Sequence, residues 1–333
     1  MAGCASLPSR PVSGPLPSPE EGLFFLAGAP PVEQAAYQCG PAALESVLRY
    51  WGVAADAGVL SKTLSSSPRA RGVLNIALAQ QMKEQGFWTQ MESSDLDQLK
   101  EWVRRGIPPV IALHVGRFGV PLYHFVVITG FDDQRNLFYL NAGRAGAESL
   151  GAAQLDAHWK KIGRWTLIVC PPERVTWPLN GRQAAQLGLL FEKRGDLESA
   201  QRWYQTAAEQ EPENPAIQFN LANVQMKRGQ LQEARALYEE LSPRHPGWGP
   251  LQNNLAWTRL SLGDTAGAVE TVLAAFRHGA RARPDILDTL GLSYCRLGDH
   301  RRARASFRAA AARVPSQNKE LSLQIALHMR ECP

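Results

Sequence analysis

The chain has 333 residues and a mass of 36.6 kDa, enough for about two domains of ordinary size. With 44% hydrophobic and 20% charged residues, it has the composition of a folded protein and not of a disordered one. The 36 Lys and Arg against 31 Asp and Glu leave a net charge of +5, too small to mark a nucleic-acid binder. No run of about 18 apolar residues offers a membrane-spanning helix. The five cysteines (Cys4, Cys39, Cys170, Cys295, Cys332) are odd in number and scattered, with no C-x-x-C or Cys/His metal spacing. Neither a disulfide framework, a metal site nor a cofactor is expected.

Residues 1–31 read as a Pro-rich tether, because seven prolines there cannot donate the hydrogen bonds of helix or sheet. At its start, Ala2-Gly3-Cys4-Ala5-Ser6 resembles the end of a bacterial lipoprotein signal peptide, in which the cysteine is lipidated. The resemblance implies membrane attachment through Cys4 and a place in the bacterial cell envelope, on the periplasmic side. The alternative is a chance cysteine on a cytoplasmic protein.

Residues 32–177 show mixed periodicity. Gly40 to Trp51 carries Leu44, Val47, Leu48 and Trp51 at helical spacing, and Leu74–Gln85 and Leu96–Arg105 read as further amphipathic helices. Pro109–His114, His124–Gly130, Leu137–Asn141 and Trp165–Cys170 are short β-branched or aromatic runs between turn residues. Helices first and strands later predict an α+β domain with an antiparallel sheet.

Residues 180–333 predict an all-α solenoid. The pattern Leu-(Gly/Ala), then Gly seven residues on, then Ala five further, recurs four times. It starts at Leu187, Leu221, Leu255 and Leu290, at intervals of 34, 34 and 35 residues. This is the tetratricopeptide pattern: small residues let two helices approach, the mid-repeat glycine turns the chain, and Pro212, Pro246 and Pro315 close three units. Leu321–Arg330 is expected to cap the last repeat. A protein partner is expected on the concave face. Residues 180–270 carry 9 basic and 11 acidic side chains, whereas 271–333 carry 11 and 5 and include Arg301, Arg302, Arg304 and Arg308. A solvated outer helix face is favoured over an acidic partner for that cluster.

The stretch that carries chemistry is Gln34-Ala-Ala-Tyr-Gln38-Cys39-Gly40-Pro41-Ala-Ala-Leu44. A cysteine at the start of a helix has its thiolate stabilised by the helix dipole, and Pro41 suits a first turn that needs no N–H. Cys170 and Cys295 lie among apolar residues and read as core fillers, while Cys332 has no assigned role. A thiolate nucleophile needs a base. His124 opens an apolar strand, whereas His114, at the end of the preceding strand, and His158, beside Trp159, are weaker candidates. Asn141 ends the next strand at hairpin distance and is placed to orient His124.

Q-C-G-P-A-A-L followed by H-F-V-V-I-T-G-F resembles the bacteriocin-processing (double-glycine leader) peptidase family of the papain-like clan. More closely, the chain resembles bacterial lipoproteins that join such a domain to tetratricopeptide repeats. The resemblance implies a papain-like cysteine peptidase domain over 32–177 that hydrolyses a peptide bond of a peptide or protein substrate through an acyl-enzyme. It further implies that Gln34, or as a lesser candidate Gln38, donates to the oxyanion together with the backbone N–H of Cys39. The family's usual Asp-Pro is replaced by Asn141-Ala142-Gly143, and no transporter follows. The competing expectation is a peptidase-like, peptide-holding scaffold that works through its repeats.

Overall fold

A computed structural model describes residues 9–12, 22–33, 38–65, 74–116 and 123–332. The chain divides after Trp177 into two compact units. The first contains strands β1 (Arg10–Pro11), β2 (Leu23–Phe25), β3 (Trp88–Ser93), β4 (Val110–His114), β5 (Tyr123–Asp132), β6 (Leu137–Asn141), β7 (Glu148–Gly151) and β8 (Trp165–Cys170). Its helices are α1 (Cys39–Tyr50), α2 (Ala57–Ser65), α3 (Leu74–Glu84), α4 (Leu96–Arg104) and α5 (Ala152–Trp159). The strands form one antiparallel sheet in the order β1-β7-β6-β5-β4-β8-β3, with β2 paired to the far end of β5.

Because β5 is buried on both faces, its sequence is apolar almost throughout. On one face Phe125 and Val127 pack with Leu44 and Val47 of α1 and Leu78 and Met82 of α3. On the other, Val126 and Ile128 pack with Leu99 and Val103 of α4 and Leu155 and Trp159 of α5. Successive residues of a strand point to opposite faces, so β5 feeds both cores at once. Helices start where a cap is available: Asp95 and Gln98 form a reciprocal capping box at α4.

The tether expected over 1–31 is corrected where it is described. Its apolar run Leu23-Phe24-Phe25 pairs with Asp132 to Gly130, and Leu26, Ala29 and Val32 are buried. The prolines flank that run without interrupting it, and Pro11 is tolerated because β1 is an edge strand. The close approach has a specific requirement. A Cβ on Gly130 would lie 2.6 Å from the Phe24 carbonyl oxygen. Gly130→Ala is therefore expected to push β2 away and cost about 1–3 kcal/mol, read as a lowered denaturation midpoint at unchanged m-value.

The second unit is built from α6 (Gly181–Lys193), α7 (Leu197–Gln210), α8 (Pro215–Lys227), α9 (Leu231–Leu241), α10 (Gly249–Ser261), α11 (Thr265–Arg277), α12 (Pro284–Arg296), α13 (His300–Ala311) and α14 (Lys319–Glu331). The mid-repeat glycines Gly195, Gly229, Gly263 and Gly298 turn each hairpin with φ of +79°, +78°, +88° and +77°, the left-handed region that favours glycine. Asp196, Asp264 and Asp299 then cap α7, α11 and α13. The small residue of the motif admits an aromatic ring, as where a Cβ on Gly291 would lie 2.6 Å from Phe307.

One expectation here is overturned. Cys295, read as a core filler, is joined to Cys332 by a disulfide with a Cα–Cα distance of 5.8 Å. The bridge ties the end of α12 to the residue after α14, 37 positions away. Sequence spacing gave no sign of it, because the capping helix brings Cys332 back only once it has docked.

Candidate functional site

Cys39 is the first residue of α1 and is buried, and Gln38 precedes it as N-cap without a side-chain capping bond. The first turn holds no acidic side chain, so nothing on the helix itself answers the positive end of its dipole. The thiol borders a cavity of about 10 Å³, the room of one water, together with Val32, Ser46, Phe125, Asn141 and Gly143. By contrast Cys170 is fully buried in β8, and burial pushes its thiol up to about 12.

His124 lies on β5 and is buried. Its register partner is Leu113, so it stands with Val126 and Ile128 on the α4–α5 face, whereas Cys39 packs with Phe125 and Val127 on the α1 face; the expected pairing of His124 with Cys39 is thus corrected, since the sheet lies between them. Its Nε2 lies 3.0 Å from the carbonyl oxygen of Ala142. A carbonyl only accepts, so Nε2 carries the proton and the lone pair falls on Nδ1. Nδ1 is buried without a hydrogen-bond partner. Burial holds the imidazole below its ordinary value of 6.5, opposed by the Ala142 bond and the Glu148 carboxylate and reinforced by the Arg144 guanidinium. Glu148 is itself buried, accepts from Arg144 at 3.1 Å, and is hydrogen-bonded by Ser9.

Asn141 does not touch His124. It pairs in register with Val127 and therefore faces α1. Its Nδ2 lies 3.1 Å from each of the Ala29 carbonyl, the Pro30 carbonyl and Ser46 Oγ, and Ser46 donates to Pro30 at 2.7 Å. The expected orienting contact is thus corrected: two positions of opposite parity on neighbouring strands cannot meet, and the carbonyl of Ala142 takes the place of the asparagine side chain. Asn141→Ala is expected to lower stability by about 1–3 kcal/mol, through stranded acceptors on Ala29 and Ser46. The kcat of the folded fraction should barely change, and paired denaturation and active-site titration measure the two effects separately.

The other expected residues are distributed as follows. Gln34 and Cys4 lie outside the described residues. His114 stands on the α1 face opposite Tyr123, its Nδ1 buried without a partner, and its carbonyl is met by His158 Nδ1 at 2.7 Å. Arg301, Arg302, Arg304 and Arg308 are exposed along α13. In the repeats, a groove of about 460 Å³ is lined by Glu239, Gln252, Arg259, Glu270 and His278. The sequence reading missed Ala142, which acts through its backbone, and Ser46, whose hydroxyl matters only once residues 29–30 lie over α1. Among the described residues, no helix is long and apolar enough to cross a membrane.

Comparison with known proteins places these features. Residues 27–166 match the family model of the Peptidase_C39 like family, and residues 192–256 and 285–316 match models of the tetratricopeptide repeat. The chain therefore carries a Peptidase_C39-like domain followed by tetratricopeptide repeats. No curated protein matches it. Among solved structures it is similar to MamA of MSR-1, with 18% identity over 46% of this chain and 84% of that one at a TM-score of 0.38. MamA from Desulfovibrio magneticus RS-1 gives 16% identity over 46% and 92% at 0.38. The pilF protein of Pseudomonas aeruginosa gives 18% over 46% and 71%, also at 0.38.

Proposed function

We propose that this union of a Peptidase_C39-like domain with tetratricopeptide repeats is a cysteine endopeptidase whose repeats recruit its substrate or a partner. Cys39 attacks the scissile carbonyl as a thiolate, and His124 takes the thiol proton and passes it to the leaving amine. The carbonyl of Ala142 fixes the tautomer that this requires. Gln34 and the backbone N–H of Cys39 hold the oxyanion, and water then releases the acyl group. One observation carries the reading: Cys39 opens α1 with no acidic side chain in the first turn, beside a small cavity lined by Phe125, Val127 and Asn141, in a domain that matches the Peptidase_C39 like family. In the ligand-free chain His124 stands on the opposite face of β5 from Cys39, so this reading requires the start of β5 to turn the imidazole to the α1 face when substrate binds.

A second reading rests on a different observation. Asn141 is spent on holding Ala29 and Pro30 over α1, and the cavity beside Cys39 admits no side chain. That arrangement suits a domain that grips an extended segment, with the repeats doing the work. A peptidyl acyloxymethyl ketone discriminates: a peptidase forms a thioether at Cys39 and yields new N-termini in envelope proteins that vanish with Cys39→Ala. A holding module does neither.

We further propose export to the cell envelope with a lipid on Cys4. The Cys295–Cys332 disulfide supports it, since structural disulfides are rare in reducing compartments. Membrane partitioning of the full gene product should be lost in Cys4→Ser. Soluble behaviour of both proteins would remove the claim.

A further inference from the structure

Outside the peptidase-like site, the strongest concentration of metal-binding chemistry is at the end of the repeats. Cys295 lies in the last turn of α12, His300 opens α13, and Cys332 follows α14. One donor atom from each lies within 4.8 Å of the others, and Cys332 Sγ is 3.6 Å from His300 Nδ1. Three segments far apart in sequence thus bring two sulfurs and an imidazole nitrogen to one point. Cys332 is buried, and the other two are half-buried, so the point is sheltered yet reachable from solvent.

We propose that this cluster is a redox-gated site for a soft divalent ion of the zinc class. In the oxidised chain the sulfurs are consumed in the disulfide and offer no thiolate. A dithiol reductant supplies two electrons and two protons: the S–S bond breaks, two Cys thiols form, and the reductant leaves as its own disulfide. Metal binding then releases both thiol protons, giving two thiolates and one neutral imidazole. Two sulfurs, one nitrogen and an open fourth position make a donor set that zinc accepts in tetrahedral geometry. His300 sets this pair apart from an ordinary structural bridge, because a disulfide alone has no use for a ring nitrogen beside its sulfur. The consequence is a repeat array whose capping helix is held by a covalent bond under oxidising conditions and by a metal under reducing ones.

The test uses the full chain in a Cys39→Ser, Cys170→Ser background, oxidised or reduced with a phosphine. Zn²⁺ is titrated against a chromophoric chelator, and Co²⁺ serves as a spectroscopic probe. Reduced protein should take up one Zn²⁺ per chain and show a thiolate-to-cobalt charge-transfer band, while oxidised protein should show neither. His300→Ala, which leaves the disulfide intact, should weaken the reduced site at least about tenfold. Stoichiometric binding by the oxidised form, no binding by the reduced form, or equal affinity in His300→Ala would each overturn the proposal.

Discussion

Cys39→Ala is expected to lower kcat/KM for peptide hydrolysis by on the order of 10⁴-fold or more, because the nucleophile and base of such a site act as a unit. Fold and stability should hardly change, since the substitution trades a buried thiol beside a small cavity for a slightly smaller apolar side chain. His124→Ala should fall in the same range, and the double variant should be little worse than either single one. The pH profile follows from the histidine's surroundings. Burial holds His124 below its ordinary 6.5, so Nδ1 stays unprotonated down through that value and the acid limb of hydrolysis lies below it. The same shift has a stability consequence whose sign is fixed. Between 6.5 and the lower folded value the unfolded chain binds more protons than the folded one. The contribution of His124 to stability is therefore lost as pH falls through that window and regained as it rises. Stopped-flow assays with a quenched-fluorescence peptide library, run from acid to neutral pH, measure the activity side directly.

Breaking the Cys295–Cys332 bridge should be the largest single loss of stability in the repeats. A closed loop with a separation of 37 residues restricts the unfolded chain by roughly 4 kcal/mol in the chain-entropy account. For a unit of this size that is a fall in melting temperature on the order of 10 °C. The loss should concentrate in α14, which buries only Ile325 among its own residues and has the bridge at its end. Hydrogen exchange on a Cys332→Ser variant should show α14 opening first while α6 to α11 keep their protection, as expected when each repeat touches only its neighbours. Equal protection of α14 with and without the bridge would show that apolar packing alone holds the cap.

How much was legible beforehand varies with the kind of signal. The repeats were readable to within a residue or two because glycine, alanine and leucine recur in register, and each of those positions has one local job. The strands Leu137–Asn141 and Trp165–Cys170 were readable in full, because their apolar runs end at turn residues. β3, β7 and α2 were not. The edge strand β3 reads Trp-Thr-Gln-Met-Glu-Ser, four of its six residues polar, and β7 has one leucine in four residues. In the site, Cys39 and His124 were legible as residue types at suitable element ends. What decides their use was not: a carbonyl has no side-chain signature, so Ala142 could not be singled out. Parity across β5 and β6, interrupted by a shift between Ile128 and Gly130, is what sends Asn141 to the opposite face from His124. The disulfide and its histidine depend on the docking of a terminal helix, which no spacing rule encodes.

The central claim is that His124 activates Cys39, and the rate of alkylation at Cys39 by iodoacetamide at pH 7 tests it most directly. Peptide mass spectrometry should find Cys39 modified far faster than Cys170, whose buried thiol, at about 12, supplies almost no thiolate. In His124→Ala the rate at Cys39 should fall by about 100-fold, with Cys170 unaffected. A rate at Cys39 that His124→Ala leaves unchanged, or equally slow labelling of Cys39 and Cys170 in the native chain, would contradict the account.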